Sequence, residues 1–173
     1  MAQTKSGALV KRRTLVKRRT LVKRMQNRSS KQTRSNKRNG AGSIAGLARL
    51  VIPAFLEMIN TIKIYHWKTS SYATHKATDE LFAELNTKTD EFVEVLLGKS
   101  EINRDKVLTF PVVKIASFTT NAECRKRIEG YKAFLLNLPA NKNFNAMANV
   151  DLLAIRDEIL ALLNQFLYML TLH

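Results

Sequence analysis

The sequence predicts an all-α domain behind a strongly cationic arm, and three observations carry that expectation. Apolar residues recur at three- and four-residue spacing along four long segments, the periodicity of a helix with one buried face. Residues 1–38 hold 14 of the 29 Lys and Arg and no Asp or Glu, so almost all of the formal charge of +15 belongs to the arm. The remaining 135 residues carry 15 basic and 14 acidic side chains, a near-neutral chain long enough to bury its own core.

The arm, residues 1–43, opens with three tandem hexamers: Leu9-Val10-Lys11-Arg12-Arg13-Thr14, the identical Leu15 to Thr20, and Leu21-Val22-Lys23-Arg24-Met25-Gln26. At about 100° per residue, a period of six turns each Leu-Val pair by roughly 240°, so no helical stripe forms. In an extended chain the Leu and Val side chains fall on opposite sides. The arm is therefore expected to be disordered in isolation, with Gly40-Ala41-Gly42-Ser43 as the hinge onto the domain.

Cations without counter-charge select polyanions, and nucleic-acid phosphate is the expected partner. The contacts are assigned to Lys11, Arg12, Arg13, Lys17, Arg18, Arg19, Lys23, Arg24, Arg28, Lys31, Arg34, Lys37 and Arg38. Residues 1–43 contain no aromatic side chain to stack on bases, so binding is expected to be independent of sequence. An anionic membrane surface and a nuclear import signal are the competing readings of the same charge. Thr14 and Thr20, each following Arg-Arg, are candidate phosphorylation sites that would weaken the contact.

The domain, residues 44–173, divides into four helices. The first runs from Ser43 to His66 through Ile44, Leu47, Val51, Phe55 and Ile62, with a kink expected at Pro53, which lacks the N–H that would bond to Arg49. The second runs from near Thr74 to Gly98, a residue suited to the left-handed position that closes a helix. A capping box, Thr120-Asn121-Ala122-Glu123, starts the third, which stops before Pro139. The fourth starts near Asn149 or Asp151 and continues through Leu152, Ile155, Ile159, Leu163, Phe166 and Leu170. Val107 to Phe118, β-branched-rich around Pro111, stays ambiguous between strand and irregular structure. Four such helices with one long middle connection fit a four-helix bundle, the ferritin-like crossover arrangement among them.

Cys124 stands alone and forms neither an internal disulfide nor a multi-thiolate zinc site, which points to a reducing compartment. Lys-Arg clusters interrupt the N-terminal Leu-Val pairs, so no secretory signal is expected. The apolar run Ile159 to Leu172 is broken by Asn164 and Gln165 and falls short of the roughly 20 residues of a membrane span. It reads as a core helix, and no transmembrane segment is expected.

Chemistry concentrates on the first two helices. His66 falls on the apolar stripe of the first helix and His75 follows across the turn. On the second helix Leu81, Leu85, Phe92 and Leu96 form the buried arc, and Glu80, Glu84 and Glu91 the solvent face. Asp90 and Glu94 lie one turn apart at the edge of that arc, a pair suited to a hard or borderline cation. Taken singly, such a pair is commonly a solvated face, and each His a packed or capping residue. Tyr65 and Trp67 read as core or interface aromatics.

His66-Trp67-Lys68, then His75, Asp90 and Glu94, resembles the signature of Dps proteins, the DNA-protecting miniferritins of the ferritin-like superfamily. The closing run Phe166-Leu167-Tyr168-Met169-Leu170 is similar to the end of that family as well. The likeness covers about residues 44–97 and 150–172. It implies a ferritin-like four-helix bundle, a homo-oligomer that is at least a dimer and in the family a dodecamer, and iron as substrate. It further implies a ferroxidase site in which His66 and His75 of one chain meet Asp90 and Glu94 of another, beside Trp67. A basic arm that coats DNA belongs to the same picture, and the implied location is cytoplasmic or nucleoid-associated, or a virion by analogy with ferritin-like proteins of large DNA viruses. The alternatives are a structural or packaging nucleoprotein that uses the same bundle without metal chemistry, and a scaffolding module that uses the arm on acidic lipids.

Overall fold

The computed structural model describes residues 44–99, 101–110 and 112–172. The hexamers and every basic residue from Lys11 to Arg38 assigned above to nucleic acid lie outside the described residues. Within them all regular structure is helical, and no strand occurs. Helix α1 spans Ile44–Lys68, α2 Tyr72–Gly98, α3 Arg104–Val107, α4 Asn121–Asn137 and α5 Val150–Met169. Two single 3₁₀ turns, Leu138–Ala140 and Ala146–Ala148, lie between α4 and α5.

The expected stripes are the buried ones. Leu47, Val51, Phe55, Met58 and Ile62 from α1 meet Leu81, Leu85, Phe92 and Leu96 from α2 in one core. Ile128 and Leu135 of α4 and Leu152, Ile159, Leu163 and Phe166 of α5 complete it. Fully burying one such side chain contributes about 1.5–3 kcal/mol, so this shared core is the main source of stability. Phe55 and Phe92 pack edge to face with ring centroids 5.2 Å apart. Charged pairs tie the rims: Arg127 of α4 to Glu57 of α1, Lys88 of α2 to Glu158 of α5, and Lys99 to Asp151 at 2.8 Å.

Several expectations need correction. The left-handed close at Gly98 does not occur: no described glycine has a positive φ. The chain stays in the right-handed region at Lys99, whose N–H donates to the Leu96 carbonyl at 3.3 Å. Helix α2 starts at Tyr72, two residues early, because the Ser71 side chain accepts from the Thr74 N–H at 3.3 Å. Pro53 lies inside an uninterrupted α1, which continues to Lys68. That helix, rather than the C-terminal run, is long and apolar enough by composition to cross a membrane, and here one face of it, Leu47, Val51, Phe55, Met58 and Ile62, lies in the common core while Leu50 and Leu56 are exposed. Of the ambiguous segment only Val107 is helical, as the last residue of α3, and its other described residues are irregular chain, anchored where the Ala116 N–H donates to the buried Thr61 hydroxyl at 3.1 Å.

The third helix starts as its capping box requires. Thr120 accepts from the Glu123 N–H at 3.3 Å and the Glu123 carboxylate accepts from the Thr120 N–H at 3.2 Å. The Thr119 N–H and the Thr120 hydroxyl add two more bonds, which hold the Glu123 carboxyl below its ordinary range. Helix α4 then gives way to the 3₁₀ turn that contains Pro139.

Candidate functional site

A three-residue connection joins α1 to α2 and sets the geometry of both histidines. The Thr69 N–H closes α1 on the Tyr65 carbonyl at 3.0 Å, and the His75 N–H opens α2 on the Ser71 carbonyl at 2.9 Å. His66 and His75, nine residues apart, are thereby stacked with ring centroids 3.9 Å apart and planes 26° from parallel. Nδ1 of His66 lies 3.1 Å from the His75 carbonyl, and Nδ1 of His75 lies 3.2 Å from the His66 carbonyl. A carbonyl oxygen only accepts, so each Nδ1 carries the proton, and in the neutral rings each Nε2 holds a lone pair. Thr78 sits beneath the pair: its hydroxyl donates to the Thr74 carbonyl at 2.8 Å, and its oxygen lies 3.2 Å from Nδ1 of His66.

This arrangement does two things. It staples the turn reciprocally, and it fixes the tautomer found in metal-binding histidines, whose second nitrogen donates to a carbonyl or carboxylate. His66 is buried at 7% exposure, as its place on the stripe requires. Trp67 beside it is 67% exposed and Tyr72 76%, so of the two aromatics read as core or interface only Tyr65 is core. The Tyr65 hydroxyl bonds to Asn121 at the start of α4, and burial pushes its pKa up to about 12.

A carboxylate that the sequence reading passed over lies closest to the pair. Asp79 Oδ1 is 3.8 Å from Nε2 of His66 and 3.6 Å from Nζ of Lys63. The available signal was the four-residue step from His75 to Asp79, which puts both on one face of α2. Lys63 also lies over the Phe82 ring, 4.5 Å from its centroid, and 5.9 Å from that of Trp67.

Asp90 and Glu94 are both exposed, rather than at the margin of the buried arc. They follow His75 by 15 and 19 residues on one helix, about 22 and 28 Å of rise. Within one chain the four expected ligands therefore do not converge, and among the described residues no group of three or more His, Cys, Asp and Glu is placed to hold a metal ion. Convergence needs a second copy. Cys124 is fully buried, and desolvation pushes its thiol up to about 12, which disfavours the thiolate.

Charge is divided across the helices. Helix α2 exposes Asp79, Glu80, Glu84, Asp90, Glu91 and Glu94 against Lys76, and α5 exposes Asp151, Asp157 and Glu158, whereas α4 exposes Arg125 and Lys126 together with Glu123 and Glu129. The α2 and α5 surfaces repel a polyanion.

Comparison with known proteins places these residues in a wider group. No curated protein and no solved structure matches the chain. Residues 66–170, from the first histidine through α2, α4 and all of α5, match a family whose function is unknown. That span is more than half of the sequence, and the chain belongs to this family, DUF5856.

Proposed function

We propose that the chain is a Dps-like, ferritin-type protein that self-associates, holds nucleic acid through its basic arm and oxidises Fe(II) at a site completed by a second copy. In this reading α1 with α2 and α4 with α5 are the antiparallel pairs of a four-helix bundle, and residues 99–120 are the crossover. The observation that carries it is the histidine pair: both Nδ1–H groups are committed to backbone carbonyls, so both Nε2 lone pairs remain for a metal. Asp90 and Glu94 of another copy, exposed on α2, supply the carboxylates. Exposed Trp67 and Tyr72 flank the turn and are covered on assembly. Imidazole and carboxylate together suit Fe(II). Two Fe(II) give one electron each to hydrogen peroxide, which takes up two protons and leaves as two waters, so no hydroxyl radical is released. Nucleic acid is left to the arm, because α2 and α5 face solvent with acids.

Anaerobic Fe(II) titration followed by peroxide tests the reading. Saturable binding that disappears in His75→Ala and in Asp90→Ala supports it, and absence of saturable binding by the native chain overturns the iron chemistry. Mass measurement at micromolar concentration checks the assembly, which a monomer contradicts.

A second reading is favoured by the Lys63–Asp79 ion pair and by the reciprocal histidine bonds, which give both rings a purely structural task. The chain is then a packaging nucleoprotein whose helical domain assembles without metal. Native protein that retards DNA and oligomerises, yet binds no Fe(II), selects this reading.

A further inference from the structure

We propose that the groove between α2 and α5 is a binding site for a small organic cation with an apolar body, an alkyl- or arylalkylamine. The site is separate from the histidine turn: Thr87 follows His75 by twelve residues, about 18 Å along α2.

The groove has a volume of about 500 Å³ and is lined by Ala83 and Thr87 of α2 and by Ala161 and Leu162 of α5, with Glu84, Lys88 and Glu158 as its charged members. The two helices run antiparallel, since Lys99 at the end of α2 meets Asp151 at the start of α5. Ala83 and Ala161 are exposed and offer only a methyl group each, whereas Leu85, Ile159 and Leu163 of the same helices turn into the core. Small side chains on the outer faces of both helices thus leave the space open. A largely apolar concavity of this size with a few polar groups is the usual form of a small-molecule site.

The charged groups select the sign of the ligand. Lys88 is already engaged: its ammonium donates to Glu91 at 3.0 Å and pairs with Glu158, which ties α2 to α5. Glu84 makes no ion pair among the described residues. Three carboxylates, Glu84, Glu91 and Glu158, therefore stand against one ammonium, and the groove attracts a cation and repels an anion. A ligand ammonium beside Glu84 leaves the Lys88 tie intact while the apolar body lies on the alanines. Each methylene taken out of water multiplies affinity by about fourfold, whereas a carboxylate open to solvent adds about two- to fivefold in all. Binding thus depends on the length of the apolar body first and on the charge second.

The test is isothermal titration of the full chain at neutral pH with hexylamine, octylamine and decylamine, and with octanol and octanoate as the neutral and anionic counterparts. Thermal melts by circular dichroism are the folding control. Affinity is expected to rise about three- to tenfold from hexylamine to octylamine, and octanoate to show no saturable binding. Ala161→Leu, which fills the groove, is expected to abolish octylamine binding. Ala83→Leu serves as the second filling variant should Ala161→Leu melt early. Glu84→Gln is expected to weaken octylamine about two- to fivefold and to leave octanol unchanged. No saturable binding of any amine, binding that survives both filling variants, or affinity independent of chain length overturns the site. Equal binding of octanoate and octylamine overturns the choice of a cation. Each of these results leaves the iron reading to its own titration.

Discussion

His66 and His75 hold each other by the same bond made twice, each ring donating Nδ1–H to the other residue's backbone carbonyl, at 3.1 and 3.2 Å. Because both bonds cross the α1–α2 turn, the pair fixes how the second helix leaves the first. Replacing His75 by Ala removes its own bond and the stacking partner of His66. Hydrogen bonds of this kind contribute about 1 kcal/mol each. The melting temperature of His75→Ala is expected to fall by about 3–8 °C in scanning calorimetry. An unchanged value means that the reciprocal bonds are absent in solution.

Gly98 and Gly130 have open space where a Cβ would stand, and neither has a positive φ. Both lie in helices, where Ala is favoured over Gly by up to about 1 kcal/mol. Gly130→Ala and Gly98→Ala should each raise the urea midpoint. A fall for Gly98→Ala would restore the left-handed close that the sequence predicts there.

Glu123 at the start of α4 contributes to the acid limb of the stability profile, as does Asp151 paired with Lys99. Backbone and side-chain donors of Thr119 and Thr120 hold the Glu123 carboxyl below the ordinary 4.5. A lowered folded-state value stabilises above the unfolded value and is lost as pH falls through the lowered one. Urea unfolding of native protein should weaken as pH drops below about 4.5, and Glu123→Gln should flatten that limb. Thr120→Ala should cost about 1 kcal/mol at neutral pH.

Phe92 presents its edge or face to Phe55 at the centre of the core, with both rings essentially inaccessible. Phe92→Ala leaves a cavity and is expected to lower unfolding free energy by about 3–5 kcal/mol. A loss under 1 kcal/mol in equilibrium denaturation would show that the two helices do not pack on that pair.

For the arm, deletion of residues 1–38 should abolish salt-sensitive retardation of duplex DNA. If half of its cations engage phosphates, the native log–log salt slope is on the order of −6. Retardation that survives the deletion moves the contact onto the helices.

What the sequence made legible is what depends on local period and local bonds. The stripes through Leu47 to Ile62, Leu81 to Leu96 and Leu152 to Phe166 are buried as read, since a 3.6-residue repeat survives any detail of packing. The Thr120–Glu123 box is formed by the four residues that encode it. The second helix ends at Gly98 as its pattern indicates, but a glycine permits a left-handed close without requiring one, and the chain stays right-handed through Lys99, which caps the helix. At the candidate site, the burial of His66 followed from its stripe, but its partners did not. The approach of Asp79 and Lys63 depends on how a three-residue turn folds α2 back on α1, which spacing along either helix leaves undetermined. Asp90 and Glu94 were placed beside the apolar arc, and α2 turns both to solvent.

Trp67 is the sole tryptophan of the chain, and it stands open to water next to His66 with the Lys63 ammonium near its ring. The molecule therefore carries its own fluorophore beside the histidine turn. Emission at long wavelength from the separate chain, a blue shift as a neighbouring copy covers the indole, and quenching by a paramagnetic ion would each be visible in unlabelled protein.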